Sequence, residues 1–500
     1  MAPRTPSAAR SASLPPGRQF ALTWGIAEPF GGMTTALLER SRLFAAAGSP
    51  VDVLTLDDRA VPLGPAFAAW ADAGVRVRNL YDWARSGDVA AAGSPPPTPE
   101  LLAGGDVVED VHDGVLLRRL RLGDDGKPVD VDHLRADGAV AMTERRRGKK
   151  RMLIAHDASG IPVRAWRRRY DLYAAWLDHL TGGRESFLLV DSKTVAPFAA
   201  DYHGRRVTTV HIVHGSHRGP TPGSVRASRQ PVFGRLGAFD AVAFATRTQR
   251  DDVRALVGRR PLLTTVAHPV GEAAAASVVA DEERSGAVVI ARLEPIKRVA
   301  DAIEAVARRN RDAAEPLPLD VYGSGSQAEA LAAAAAKAAE PSAADGRSGR
   351  HDDAIQLRGH TDDPAGVLAA ADVLLLTSRS EAFGLVLLEA MAAGCLPIAY
   401  DVPYGPADLI RSGENGWLVP DGDIDALAEA LRTAGELDPA ARATMRQNAR
   451  RTAAEYSPER ILRRWSVVLR AARRRQVLLA AVRLLARAVR GGLRRLRRLR

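Results

Sequence analysis

The chain has a single cysteine, Cys395. No disulfide can brace it, and a reducing compartment fits. Cys395 sits in AAGCLP, between a helix pattern and a strand pattern, where a packed thiol is expected rather than a nucleophile. No apolar run approaches the roughly 18 residues of a membrane span, so nothing is expected to cross a bilayer by itself. Residues 1–18, MAPRTPSAARSASLPPGR, lack the apolar centre of a secretory signal and read as a disordered arm. Residues 470–500 contain no acid but twelve arginines, and the formal net charge of +11 therefore falls to 11 − 12 = −1 for everything else. The basicity belongs to the tail. Those arginines have no interleaved aromatics and no base-reading fold beside them, so nucleic acid is not the expected partner.

What is present is 500 residues with 46% hydrophobic content, enough for two or three soluble domains. An apolar strand at Phe20–Trp24 leads through Gly31 and Gly32 into a helix ending near Gly48, and Val51–Leu56 follows as a second strand. A Gly-Gly pair at a helix mouth lets backbone approach a phosphate closely. The rhythm breaks over about 84–165, where GSPPPTP is a stiff linker and Asp-Gly turns join short strands, giving a β-rich insertion. Asp130 and Asp132 form a D-x-D there, but in a turn-flanked segment this is not a buried metal site.

The α/β pattern then resumes with a helix at Tyr170–Leu180 and strands at Ser186–Val190 and Val207–Val213. His211, His214 and His217 lie at the edge of the last strand, where α/β sheets place ligands; on extended backbone they point to different faces, so no metal is expected. A second domain opens at GAVVIARLEPIKR. Its Arg292 and Lys297 flank a strand-to-helix loop and can converge on one anion. Leu317–Tyr322 with GSGSQ gives the next strand and turn, including Gly323.

The stretch from Leu374 to Pro420 organises the rest. It reads as a buried strand, a polar loop, a helix from near Phe383 to Gly394, and a second strand at Leu396–Tyr400. The amides of Gly384, Leu385 and Val386 would lack intrahelical partners at the positive end of the helix dipole, which suits a phosphate. Glu381 and Glu389 bracket them; eight helical steps cover roughly 12 Å, which puts one carboxylate at the helix mouth and the other deeper along the helix, to hold two ends of one elongated ligand.

SEAFGLVLLEAMAAG followed by LPIA resembles the E-x7-E signature of retaining glycosyltransferases of the GT-B fold, the family-four group that uses nucleotide-sugars. Ala382 stands where that motif often has Gly, and His268 where Asn usually precedes Pro. The resemblance implies two Rossmann-like domains facing a cleft: 19–272 for the acceptor side, 284–440 for the donor side, closing helices at 441–469 and a basic amphipathic tail at 470–500. It implies Glu381 beside the donor sugar, Glu389 on the ribose, and Phe383, Gly384, Leu385 and Val386 at the diphosphate. Arg292 and Lys297 would neutralise the leaving group, His214, with His217 second, would contact the sugar, and Gly31, Gly32 and Gly323 would line the donor. It implies no cofactor and no metal. PFGGMTTALLERSR, FLLVDSKTV and YGPADLIRSGENGWLV are similar to poly(glycerol-phosphate) α-glucosyltransferases. From this follow a UDP-glucose donor, a polyol-phosphate or glycan acceptor of the teichoic-acid type, and a cytoplasmic protein peripheral at the inner membrane face. The tail's apolar stripe, Leu478, Val482, Leu485 and Val489, beside an arginine stripe suits an anionic membrane surface. A lipid or small acceptor, a non-catalytic scaffold of the same fold, and self-association are left open.

Overall fold

The computed structural model describes residues 13–26, 30–58, 64, 67–90, 105–112, 114–221, 223–258, 261–271, 274, 279–280, 283–311, 313, 315–339 and 354–498, with side chains to residue 482 in the last helix. Of the arm expected over 1–18, residues 1–12 lie outside the described residues, as do the GSPPPTP linker, most of 272–282 and residues 340–353; residues 13–18 are described, with Leu14 buried and Arg18 opening the first strand.

The first domain carries seven strands: β1 (Arg18–Leu22), β2 (Val51–Thr55), β3 (Val75–Asn79), β10 (Ser186–Val190), β11 (Val207–Val213), β12 (Ala241–Phe244) and β13 (Leu263–Thr265). They pair in the order β13-β12-β11-β10-β1-β2-β3, all parallel. Helix α1 (Gly32–Ala46) joins β1 to β2. β10 and β11 are buried at every position. Helices cover both faces of such a sheet, so its inner strands read as continuous apolar runs rather than alternating ones. The second domain repeats the plan with β14 (Ala287–Ile290), β15 (Leu319–Tyr322), β16 (Ile355–Gly359), β17 (Val373–Leu376), β18 (Leu396–Tyr400) and β19 (Trp417–Val419), in the parallel order β16-β15-β14-β17-β18-β19.

Between β3 and β10 the chain builds a third sheet, a six-stranded antiparallel meander: β4 (Val107–His112), β5 (Val115–Leu122), β6 (Pro128–Leu134), β7 (Val140–Arg147), β8 (Lys150–His156) and β9 (Pro162–Trp166). Left-handed glycines such as Gly126 (φ 70°) and Gly138 (φ 81°) turn its hairpins. Polar contacts tie it to the first domain: Asp58, after β2 and paired with Arg85 at 2.6 Å, meets His133 Nδ1 of β6 at 2.6 Å, and Glu144 of β7 meets Arg169 beyond the sheet at 3.3 Å. Within the sheet Glu144 also pairs with Arg146 and Arg151, and the D-x-D carboxylates are taken up likewise, Asp130 by Arg147 and Asp132 by Arg145, each at 2.7 Å.

The C-terminus departs from expectation. Closing helices over 441–469 and a separate tail over 470–500 are expected from the sequence, but one helix runs from Pro458 to Arg498, through Gly491 and Gly492. Each internal glycine costs only about 1 kcal/mol relative to alanine, and the surrounding leucines, alanines and arginines are strong helix formers. This helix crosses back to the first domain. Its Trp465 meets Phe44 edge-on at 5.8 Å, with Arg40 over its face at 5.7 Å, and Ser466 Oγ donates to the Ser13 carbonyl at 2.7 Å.

Candidate active site

A parallel sheet opens a crevice where its strand order reverses, because the loops leaving adjacent strands there turn to opposite faces. In the first sheet that place is between β1 and β10, and in the second between β14 and β17.

The second crevice is built by two loops laced together. Arg379 N–H donates to the Ile296 carbonyl at 2.9 Å, and Thr377 Oγ1 donates to the Lys297 carbonyl at 3.0 Å. Across this lacing Lys297 Nζ meets Glu381 Oε1 at 2.5 Å, both side chains being mostly buried. Tyr404 N–H holds the Glu381 carbonyl at 3.1 Å. The helix α2 (Leu385–Ala393) begins two residues later than its pattern suggests, behind Gly384 at φ 86°. Among the described residues no backbone carbonyl accepts from the amides of Gly384, Leu385 and Val386. Glu381 is therefore in the loop and only Glu389 on the helix, so the 12 Å helical separation does not apply.

Glu389 is half-buried, and its carboxyl is pushed up to about 7, first by burial and then by Glu39 of α1. That coupling places Glu389 toward the first domain. Arg292 extends exposed from the end of β14 and, among the described residues, makes no ion pair with Glu381. At Gly323 a Cβ would stand 1.8 Å from the Ala291 carbonyl oxygen, because the loop after β15 lies against the loop after β14. At Gly31 and Gly32 an added Cβ would meet no atom of the described residues within 4 Å.

The first crevice holds a polar chain that brings to the expected His214 two residues not named for the site, Arg40 and Asp191. Arg40 of α1 forms a two-pronged pair with Asp191, the residue after β10, at 2.8 Å for each oxygen. The guanidinium and the His214 contact hold this carboxyl well below the usual range against the opposing effect of burial. His214, after β11, places Nε2 2.7 Å from Asp191 Oδ1. Its ring lies parallel to His268 at 5.8 Å, and His268 meets Phe383 edge-on at 5.6 Å. Those rings connect the first domain's strand ends to the residue just before the Gly384 helix mouth. Burial, then the neighbouring His214 and Arg40, push His268 down to about 3.

His217 is not at this crevice face. It is buried between Phe233 and Tyr404, stacked on each, and burial pushes it down to about 4. Its neighbours form a seam between the domains: Tyr404 Oη donates to Asp252 Oδ2 at 2.6 Å and Arg218 Nε donates to Tyr404 Oη at 2.9 Å. Asp191 carried one sequence cue, a carboxylate ending an apolar strand at a switch point. Arg40 carried none, because arginine is ordinary on a helix. Among the described residues no three metal-ligating side chains converge.

Residues 272–452 match the family described as glycosyl transferases group 1. That match takes in the second domain. The two domains together have the GT-B fold: the chain superposes on the crystal structure of TarM with a TM-score of 0.68, at 19% identity, over 91% of this chain and 98% of that one. The pneumococcal O-GlcNAc transferase GtfA in complex with UDP and GlcNAc gives 0.64 at 18% identity, over 91% and 99%. In sequence, the chain is 25% identical over 309 residues to the poly(glycerol-phosphate) alpha-glucosyltransferase of Bacillus subtilis (strain 168), covering 60% of this chain. The match spans 43% of that relative's length.

Proposed function

We propose that the protein is a retaining hexosyltransferase that moves a sugar, glucose by its similarity, from a UDP-sugar to a hydroxyl of a polyol-phosphate polymer of the cell envelope. One observation carries this reading. A lysine and a glutamate meet at 2.5 Å beside helix-mouth amides that no backbone carbonyl of the described residues accepts from, at the switch point of a parallel sheet. Amides and Lys297, joined by Arg292, offer donors to a diphosphate as negative charge builds on it, and donors already in place for developing charge commonly supply most of an enzyme's rate enhancement. When the phosphate draws Lys297 away, Glu381 is freed to orient the sugar and face positive charge at its anomeric carbon. Glu389 accepts from the ribose hydroxyls, the helix mouth at Gly31 and Gly32 admits the acceptor and the donor phosphates, and His214 meets the sugar. No catalytic base is needed if the acceptor attacks from the leaving-group side and a phosphate oxygen takes its proton.

The acceptor class rests on the name of the Bacillus relative. Peripheral membrane attachment rests on the last helix. Its described part exposes Val477, Leu478 and Val482 alongside Arg470 and Arg474, and no helix among the described residues is long and apolar enough to span a bilayer. The test is UDP release from UDP-glucose with and without poly(glycerol phosphate), with the product's anomeric configuration read by NMR. Transfer with an α-linked product is expected. Lys297→Ala should lower kcat by about 10²- to 10³-fold with an unchanged melting temperature. A β-linked product removes the retaining mechanism, and wild-type turnover in Lys297→Ala removes the site.

A further inference from the structure

We propose that Asp191 is a positioning residue: locked by Arg40, its carboxylate fixes the tautomer and plane of His214, so that Nδ1 is left as a hydrogen-bond acceptor for a hydroxyl of the bound sugar. The inference rests on the transferase reading and extends it to a residue outside the family signature.

Arg40 occupies both oxygens of the Asp191 carboxylate at 2.8 Å, in the planar two-pronged geometry that matches guanidinium to carboxylate. Asp191 is completely buried and Arg40 is 4% exposed, so charge balance and solvation are met without any histidine. The third contact, His214 Nε2 to Oδ1 at 2.7 Å, is therefore not required to neutralise the acid. What it supplies is orientation. A carboxylate can only accept here, so Nε2 must carry hydrogen, and in the neutral imidazole Nδ1 then keeps its lone pair. Among the described residues Nδ1 has no hydrogen-bond partner. Rotation of the ring is limited by the parallel face of His268 at 5.8 Å, and His268 is itself set against Phe383, next to the helix mouth.

With both carboxylate oxygens already held by Arg40, the His214 contact fixes a direction, and the pair is built to aim an acceptor.

The tautomer is read directly by long-range proton–nitrogen NMR on the full chain labelled at histidine nitrogen, with His214→Gln used to assign the His214 signals. Proton on Nε2 and a bare Nδ1 are expected; proton on Nδ1 overturns the proposal, whether or not the protein transfers sugar. In Asp191→Asn, kcat should fall about 10²-fold, the scale of a small misplacement of a positioned group, while donor KM changes less than about threefold and the tautomer becomes mixed. Wild-type kcat in that variant overturns the proposal. If Asp191→Asn does not fold, Asp191→Glu keeps the charge for Arg40 and shifts the oxygen that meets Nε2, and retention of full kcat there is equally fatal. Absence of transfer by the wild type, with Nε2 protonated, instead indicts the transferase reading.

Discussion

Glu389 and Cys395 are both weak acids in the second domain, and burial moves both upward. For Cys395 the thiol is pushed up to about 12, so it stays protonated and inert, as its place between an alanine-rich helix and a buried strand implies. Glu389 reaches only about 7, which leaves it poised near neutrality. The sign follows from linkage. Its folded value lies above its unfolded one, so the folded state holds the proton more tightly; this stability is full below the ordinary carboxylate range and lost as pH rises toward 7. Relative to Glu389→Gln, the wild-type melting temperature should therefore fall between pH 5 and pH 8 in the absence of donor, as measured by scanning calorimetry. Parallel curves would show that Glu389 titrates as an ordinary surface carboxylate. A ribose diol donating to the carboxylate favours its charged form, so saturating UDP should flatten the difference.

Among the elements, the Lys297–Glu381 contact was within reach of sequence because each residue follows an apolar strand by a short loop, and strand ends are predictable. The helix start was misjudged by two residues because Gly384 takes a left-handed conformation as cap, and nothing local distinguishes Phe383 as a helix residue from Phe383 as a buried loop residue. Glycines separate along the same line. Gly32→Ala should leave the fold intact or stabilise it by about 0.4–1 kcal/mol while weakening UDP binding, because its Cβ, at the mouth of α1, would meet no atom of the described residues within 4 Å. Gly323→Ala should destabilise severely, since its Cβ would overlap the Ala291 carbonyl and its φ is 146°. Thermal melts with isothermal titration of UDP separate the two effects, and equal loss of stability in both variants would contradict the geometry.

The whole molecule is joined by two devices that a residue pattern does not encode. One is the Tyr404–Arg218–Asp252 seam, whose partners are 152 and 186 positions apart. The other is the last helix, which leaves the second domain, clamps Phe44 and Arg40 of the first with Trp465, and continues outward as a basic rod. Truncation after Val482 removes residues that follow the docked part, so the melting temperature should hold within a few degrees. Sedimentation with anionic vesicles should drop, and the bound fraction of the full chain should fall with salt. Equal binding by both forms would place the membrane contact elsewhere.

The amino-acid sequence by itself determined the two α/β halves, the β-rich insertion between strands of the first, the basic C-terminus, and the glutamate-bracketed loop of the second, because apolar runs, turn glycines and strand-end loops are local signals. Only the tertiary structure decided that Arg40, Asp191, His214 and His268 form one buried chain, that His217 serves the domain seam, and that Gly323 answers to a neighbouring carbonyl. Those assignments depend on which loops meet at a strand-order reversal, and that meeting is set by long-range parallel pairing that leaves no periodic trace in the chain.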